Sequence, residues 1–141
     1  MKYRLMDILA CPYDKKFPLK LIVLDEKVYP ERKYEWDKKP FCEEYCGLLG
    51  KPVKEVGDSA PCEDCIKREI VTGILYCPEC RRWYPIKEEI PILLPDELRS
   101  AKEDIEFLQN VKDKLLQVEP ELGDKILKEG KPFNLSTHSS K

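Results

Sequence analysis

The sequence predicts a small α+β domain built on an antiparallel sheet, with a short N-terminal helix, a Cys-rich and mainly helical insertion, and a C-terminal amphipathic helix. Three observations predict it. Cys11-Pro12-Tyr13-Asp14-Lys15 and Cys77-Pro78-Glu79-Cys80-Arg81 share one layout: Cys-Pro, one residue, a ligand-type side chain, then a basic one. Apolar, β-branched runs follow the first segment and flank the second. Beyond Pro95 the apolar spacing lengthens to three or four residues.

In chain order, Leu5, Ile8 and Leu9 sit at near-helical spacing, and Pro12 stops that helix. Leu19 to Leu24 reads as a strand, Asp25-Glu26-Lys27 as a turn, and Val28-Tyr29 as a return strand or exit loop. From Pro30 to Glu69 the composition turns charged and aromatic (Tyr34, Trp36, Phe41, Tyr45) and is cut by Pro40, Pro52, Gly57 and Pro61. This is an insertion with one or two short helices. Ile70–Tyr76, Arg82–Ile86 and Ile90–Leu94 are strands, the last two joined by the polar turn Lys87-Glu88-Glu89. Leu98, Ala101, Ile105, Leu108, Val111 and Leu115 trace a helical stripe that ends before Pro120. The expected organisation is a ribbon-like domain from residues 1–29 and 70–119, including its C-terminal helix, an inserted module at 30–69, and an irregular tail at 120–141 whose Pro132, Phe133 and Leu135 pack back.

The 141 residues carry 25 Lys+Arg against 27 Asp+Glu, a net charge of -2 that excludes a polybasic coat for nucleic acid or anionic lipid. The longest apolar runs, Leu21–Leu24 and Ile92–Leu94, fall far short of the roughly 18 residues of a membrane span. Met1-Lys2-Tyr3-Arg4 does not begin a signal peptide, so a soluble, cytoplasmic protein is expected. Charged residues reach 37% while Gln, Asn and Thr occur twice each, a bias that points to a thermophilic source. The six glycines form neither a dinucleotide nor a phosphate loop, and Glu43-Glu44 and Glu88-Glu89 read as solvated surface. No catalytic or cofactor-cradling residues are expected.

Cysteine is the chemical signal. Cys77-x2-Cys80 closes the tight turn whose N–H groups face thiolate sulfurs, the knuckle of a zinc-ribbon type of sheet. Cys11 and Asp14 form its counterpart, with a carboxylate in place of a fourth thiolate, so Cys11, Asp14, Cys77 and Cys80 are candidate zinc ligands. Loss of the metal in favour of a disulfide or packing is the open alternative. In the insertion, Cys42, Cys46, Cys62 and Cys65 complete a second set of four, giving one or two zinc sites. Pairing Cys62/Cys65 with Cys77/Cys80 is a competing partition, and buried structural thiols or Cys42–Cys46 and Cys62–Cys65 cross-links are another. His138, the sole histidine, lies in the tail and reads as solvated.

Glu89-Ile90-Pro91-Ile92-Leu93-Leu94-Pro95 is a proline-bearing strand, hence an edge strand, yet apolar on both faces. Such an edge calls for a partner's strand, unless the C-terminal helix and the insertion cover it. Leu5-Met6-Asp7-Ile8-Leu9-Ala10-Cys11-Pro12, Cys77-x2-Cys80 with Tyr84-Pro85-Ile86, and Ile90-Pro91-Ile92-Leu93-Leu94-Pro95 together resemble the small zinc-ribbon activator subunit of S-adenosylmethionine-dependent methyltransferases, in an archaeal form. The resemblance covers roughly residues 1–24 and 70–99. It implies a non-catalytic subunit that stabilises and activates, as a heterodimer, methyltransferases modifying tRNA, rRNA or translation release factor. The enzyme subunit would hold the methyl donor, and RNA would be met only through it. Carried onto this chain, Ile90, Ile92, Leu93 and Leu94 face the partner, with Ile86, Leu5 and Leu9 nearby. Asp14 departs from the family's Cys-x2-Cys, and the insertion belongs to its variable part, where Trp36 and Tyr45 are within reach of a substrate or partner. The rival reading is a free-standing nucleic-acid-binding zinc ribbon, with Lys15, Lys16, Arg81 and Arg82 on phosphate and exposed Trp83 or Tyr84 stacking on bases.

Overall fold

A computed structural model describes residues 1–35, 37 and 42–136. Trp36, Phe41 and His138 lie outside the described residues. Along the chain run a 3-10 turn (Tyr3–Asp7), β1 (Lys20–Val28), β2 (Tyr45–Cys46), β3 (Lys51–Pro52), α1 (Val53–Val56), α2 (Cys62–Cys65), β4 (Arg68–Tyr76), β5 (Trp83–Lys87), β6 (Ile90–Pro91), α3 (Ala101–Val118) and α4 (Pro120–Glu129).

The main sheet is antiparallel, in the order β1-β4-β5-β6. Side chains alternate across it with the strand period of two, and both faces are covered. Ile22, Leu24, Ile74, Tyr76 and Trp83 point into a core closed by Phe107, Leu108, Val111 and Leu115 of α3 and Ile126 and Leu127 of α4. Leu75, Cys77, Tyr84 and Ile86 point the other way, into a core closed by Met1, Tyr3 and Met6. Burial on both faces explains why β4 reads as an almost unbroken apolar run.

Several expectations need correction. The N-terminal helix is a 3-10 turn, whose period of three turns Tyr3 and Met6 inward and leaves Ile8 72% exposed. Asp25-Glu26-Lys27 is no turn: β1 continues through it, with register irregularities on both sides of Asp25, and pairs with β4 rather than with Val28-Tyr29. An edge strand tolerates these charges, and Glu26 accepts hydrogen bonds from Tyr3 Oη and from Arg68 Nη1 (2.7 Å). β6 is only two residues long, after which Ile92 N–H adds one bond to Pro85 O (2.9 Å). Its hairpin turn places Glu88 (φ 48°) and Glu89 (φ 71°) in the left-handed region that a two-residue loop requires.

The insertion's regular structure is mostly single helical turns, α1, a 3-10 turn at Gly57–Ser59 and α2, with the short β2–β3 ladder added. The predicted helix is α3. Ser100 caps it by accepting from Glu103 N–H (3.3 Å), while Ala101 and Leu98 of the expected stripe are exposed and Phe107 takes their place inside. The tail is not irregular throughout. Pro120 opens α4 at a position where a missing N–H costs nothing, and Leu122, Ile126 and Leu127 give it an apolar stripe. Gly123 lets α4 cross close to Leu115, since a Cβ there would lie 2.9 Å from Leu115 Cγ. After α4 the chain returns to the sheet, with Trp83 N–H bonded to Lys131 O (3.1 Å), Trp83 Nε1 to Phe133 O (2.9 Å), and Leu135 packed on the helical core.

Glu69, 4% exposed at the start of β4, ties three segments together. Its carboxylate meets the Met1 amine (3.0 Å), Arg32 Nη1 (2.9 Å) and Lys2 Nζ (3.4 Å). Burial alone would raise its pKa, but the amine and Arg32 hydrogen bonds hold it below the ordinary 4.5. A carboxyl depressed by folding contributes stability that is present above its unfolded value and lost as pH falls through its folded one. Glu69→Ala is therefore expected to cost about 3–5 kcal/mol at neutral pH by leaving the buried Met1 amine without its carboxylate. The deficit should shrink as pH falls below 4.5, which denaturant titrations across that range would measure; a constant deficit would show that packing, not charge, is lost.

Candidate metal centre and partner surface

Both knuckles have the same backbone. Lys15 N–H bonds Cys11 O (2.9 Å) and Cys11 N–H bonds Lys16 O (3.0 Å), as Arg81 N–H bonds Cys77 O (2.8 Å) and Cys77 N–H bonds Arg82 O (2.9 Å). Lys15 (φ 64°) and Arg81 (φ 65°) both occupy the left-handed region. The first knuckle precedes β1 and the second follows β4, so the pairing of Lys20 with Tyr76 brings the two loops together.

Cys11, Asp14, Cys77 and Cys80 converge, each offering one ligand atom, all within 4.8 Å of one another. Cys11 Sγ lies 3.6 Å from Cys80 Sγ, and Cys77 Sγ lies 3.4 Å from both oxygens of Asp14. A tetrahedral cation bonded at about 2.3 Å to sulfur and about 2.0 Å to oxygen spaces its ligands at about 3.8 Å for two sulfurs and about 3.5 Å for sulfur and oxygen. The residues present therefore fit a metal ion.

Electrostatics suit the site too. The Lys16 N–H (3.0 Å), followed by the neighbouring thiols, holds the Asp14 carboxyl below its usual range and keeps it anionic. Burial pushes the Cys77 thiol up to about 12, against the Glu79 and Cys80 N–H groups that favour its thiolate. A cation at the centre would tip that balance. Such a thiol is a poor redox nucleophile. Behind Cys11 stands the buried Tyr84 Oη at 3.7 Å. Arg82 forks onto Asp96 (2.7 and 3.0 Å), and its guanidinium lies 3.6 Å from the centre of the Tyr13 ring, while Asp96 N–H donates to Tyr13 Oη (2.6 Å). The first knuckle is thereby clamped to the chain beyond β6.

Among the described residues no other set of three or more ligand atoms closes to the same spacing. Cys42, Cys46, Cys62 and Cys65 are nevertheless all buried, and burial pushes the Cys42 and Cys65 thiols up to about 12. All seven cysteines are free thiols, so neither Cys42–Cys46 nor Cys62–Cys65 is cross-linked.

The aromatic surface of the rival reading is not there. Trp83 and Tyr84 are both 0% exposed, with Trp83 stacked on Phe107 at 5.8 Å between ring centres. Arg81 pairs with Glu129 (3.3 Å), Arg82 with Asp96, and Lys16 with Glu79 (3.7 Å).

Of the residues assigned to a partner surface, Ile86 is withdrawn: it is 0% exposed, because alternation along β5 puts it beside Tyr84 in the core. Leu5, Leu9 and Leu93 are half-buried at the rim of that same core, Ile92 is half-buried, and Ile90 (62%) and Leu94 (38%) are exposed. Exposed Ile8 joins them. Asp7 was not singled out by sequence reasoning. Its carboxylate accepts from the N–H groups of Glu43 (2.8 Å), Glu44 (2.6 Å) and Tyr45 (2.8 Å), docking the insertion onto the N-terminal turn. Gly47 completes the dock, since a Cβ there would sit 2.2 Å from Tyr3 O. A lone Asp amid apolar residues was the only signal.

A sheet with two matched knuckles pinned around a thiol–carboxylate cation site defines a ribbon-type module. The family model for Trm112p-like proteins matches residues 2–89. The chain belongs to the Trm112p-like family, and it is an activating, non-catalytic subunit that partners methyltransferases. No curated protein matches it in sequence. Among solved structures it is similar to a chain of the E. cuniculi Mtq2–Trm112 complex responsible for methylation of the eRF1 translation termination factor, at 19% identity and a TM-score of 0.48 over 67% of this chain and 95% of that one. No helix among the described residues is long and apolar enough to cross a membrane.

Asp14→Ala is expected to lower metal affinity by more than the roughly 10–100-fold typical of losing an outer-shell partner. Asp14→Cys should raise it by supplying a fourth thiolate. Metal analysis after competition with a chelator reads both, and affinities equal to the parent's would remove Asp14 from the ligand set.

Proposed function

We propose that the chain forms heterodimers with S-adenosylmethionine-dependent methyltransferases acting on tRNA, rRNA or translation release factor, and that it does so by adding its β6 edge to their sheet. The observation that carries this reading is the unpaired side of β6. There Ile90 and Leu94 stand exposed beside half-buried Ile92, with Leu93 reaching the same core whose rim holds Leu5 and Leu9. An edge this apolar is an aggregation hazard alone and a docking strip in a complex. The partner holds the methyl donor and meets the RNA; this chain supplies burial and strand pairing that keep the partner folded. Zinc is the cation we assign to Cys11, Asp14, Cys77 and Cys80, because a site of mostly thiolates with tetrahedral spacing suits it. A cytoplasmic site of action and a thermophilic archaeal source belong to the same reading, the source resting on the charge-rich, amide-poor composition.

Pull-down of the full chain from its native organism, with mass spectrometry of what co-purifies, tests the reading, and a methyltransferase at near-equal stoichiometry is the expected result. Recovery of RNA without any methyltransferase would overturn it. Ile90→Asp and Leu94→Asp change exposed side chains, so the isolated protein should stay folded, with an unchanged thermal midpoint. Each should weaken methyltransferase binding by about 2 kcal/mol or more, roughly 30-fold. Unaltered co-purification by both variants would sink the edge-strand mode.

A further inference from the structure

We propose a second metal site, in which Cys42, Cys46, Cys62 and Cys65 bind one zinc ion as four thiolates, distinct from the knuckle centre. All four are buried, at 7, 8, 4 and 7% exposure, on a surface module otherwise rich in charge. Cys46 and Cys62 lie in one buried cluster, Cys62 and Cys65 stand at the two ends of the single turn α2, and Cys42 enters the turn that carries Cys46.

The turn carrying Cys46 repeats the backbone of the two knuckles. Gly50 N–H bonds Cys46 O (2.8 Å), Gly50 is left-handed (φ 65°), and Cys46 pairs with Lys51. Lys15 and Arg81 hold the matching positions in the knuckles that carry Cys11 and Cys77. The residue at the second ligand position of this third turn is Leu49, 44% exposed. Its further ligands therefore come from Cys42, four residues earlier, and from the ends of α2.

The module also needs a staple. Its elements are two-residue strands and four-residue helices, none stable alone. Its own core holds Val56 and Ala60, with Cys46 and Cys62 as the other buried members. Tyr34 and Leu48 pack against it and Asp7 docks the module on the N-terminal turn, and a metal would add the cross-link that a core this small favours. The cysteines are free, and four soft sulfur ligands select zinc. The sulfurs stand wider apart than those of the knuckle centre, so binding draws them inward and releases four protons.

The test is metal analysis of the full chain purified with zinc and without chelator. Two zinc ions per chain are expected, falling to one in Cys62→Ser/Cys65→Ser and to one in Asp14→Ala/Cys80→Ser. Cobalt replacing zinc in the latter protein should show intense thiolate-to-metal charge transfer of a four-sulfur site. If Cys62→Ser/Cys65→Ser fails to fold, the Asp14→Ala/Cys80→Ser protein decides alone. Its retention of one zinc supports the site, and loss of all metal overturns it. Intact mass showing a Cys42–Cys46 or Cys62–Cys65 disulfide in the native chain would overturn it too. Methyltransferase binding plays no part in these readouts, so the outcome is independent of the activator reading.

Discussion

The β1–β4 ladder is the constraint on which the structure depends. It joins residues that lie 40 to 56 positions apart along the chain, from Val28 opposite Arg68 to Lys20 opposite Tyr76. Because the strands are antiparallel, the loop before β1 and the loop after β4 emerge at one end, where Cys11 and Cys77 meet. The opposite end receives the Met1 amine and Arg32 on Glu69. One pairing thus fixes the candidate cation site, the buried ion cluster and the inward face for each apolar residue of β4. A slip of one residue would exchange Ile74 and Leu75 between the two cores and separate the knuckles.

The two cores do different work. The helical side, with Trp83 between Phe107 and the returning tail, is closed by the chain itself. The other side is closed only by a 3-10 turn, the knuckles and the docked insertion, and its rim leaves Leu5, Leu9 and Leu93 half-buried. That asymmetry is where stability and function part company. A surface finished on one side and unfinished on the other is what a subunit completed by a partner requires.

Much of this was legible in the sequence. Apolar, β-branched runs marked β4 and β5, the period change marked α3, and the matched Cys-Pro segments marked the two loops whose Cys11, Asp14, Cys77 and Cys80 converge. What was misread has a physical cause in each case. Asp25 to Lys27 looked like a turn because charge in a strand is visible only as charge, whereas edge position and Arg68 across the ladder decide the outcome. Ile86 was placed near the partner surface because the motif around it is contiguous in sequence, while the strand period turns it into the core beside Tyr84. Pro120 was taken as an end and is a beginning, since proline stops the helix behind it and is accepted at the first position of the next. Asp7 gave no sign of its role, because its partners are backbone groups some 36 to 38 positions away.

The insertion leaves and rejoins the sheet at touching points: Val28 faces Arg68, and Tyr29 N–H bonds Lys67 O (2.6 Å). The ladder has already closed that loop, so lengthening it adds only about 0.6 kcal/mol of chain entropy per doubling. This junction is therefore a splice point, at which modules can be exchanged between lineages or by design without disturbing the strands beneath. What any replacement must preserve is small: backbone N–H donors for the carboxylate of Asp7, and a bare backbone where Gly47 lies against Tyr3.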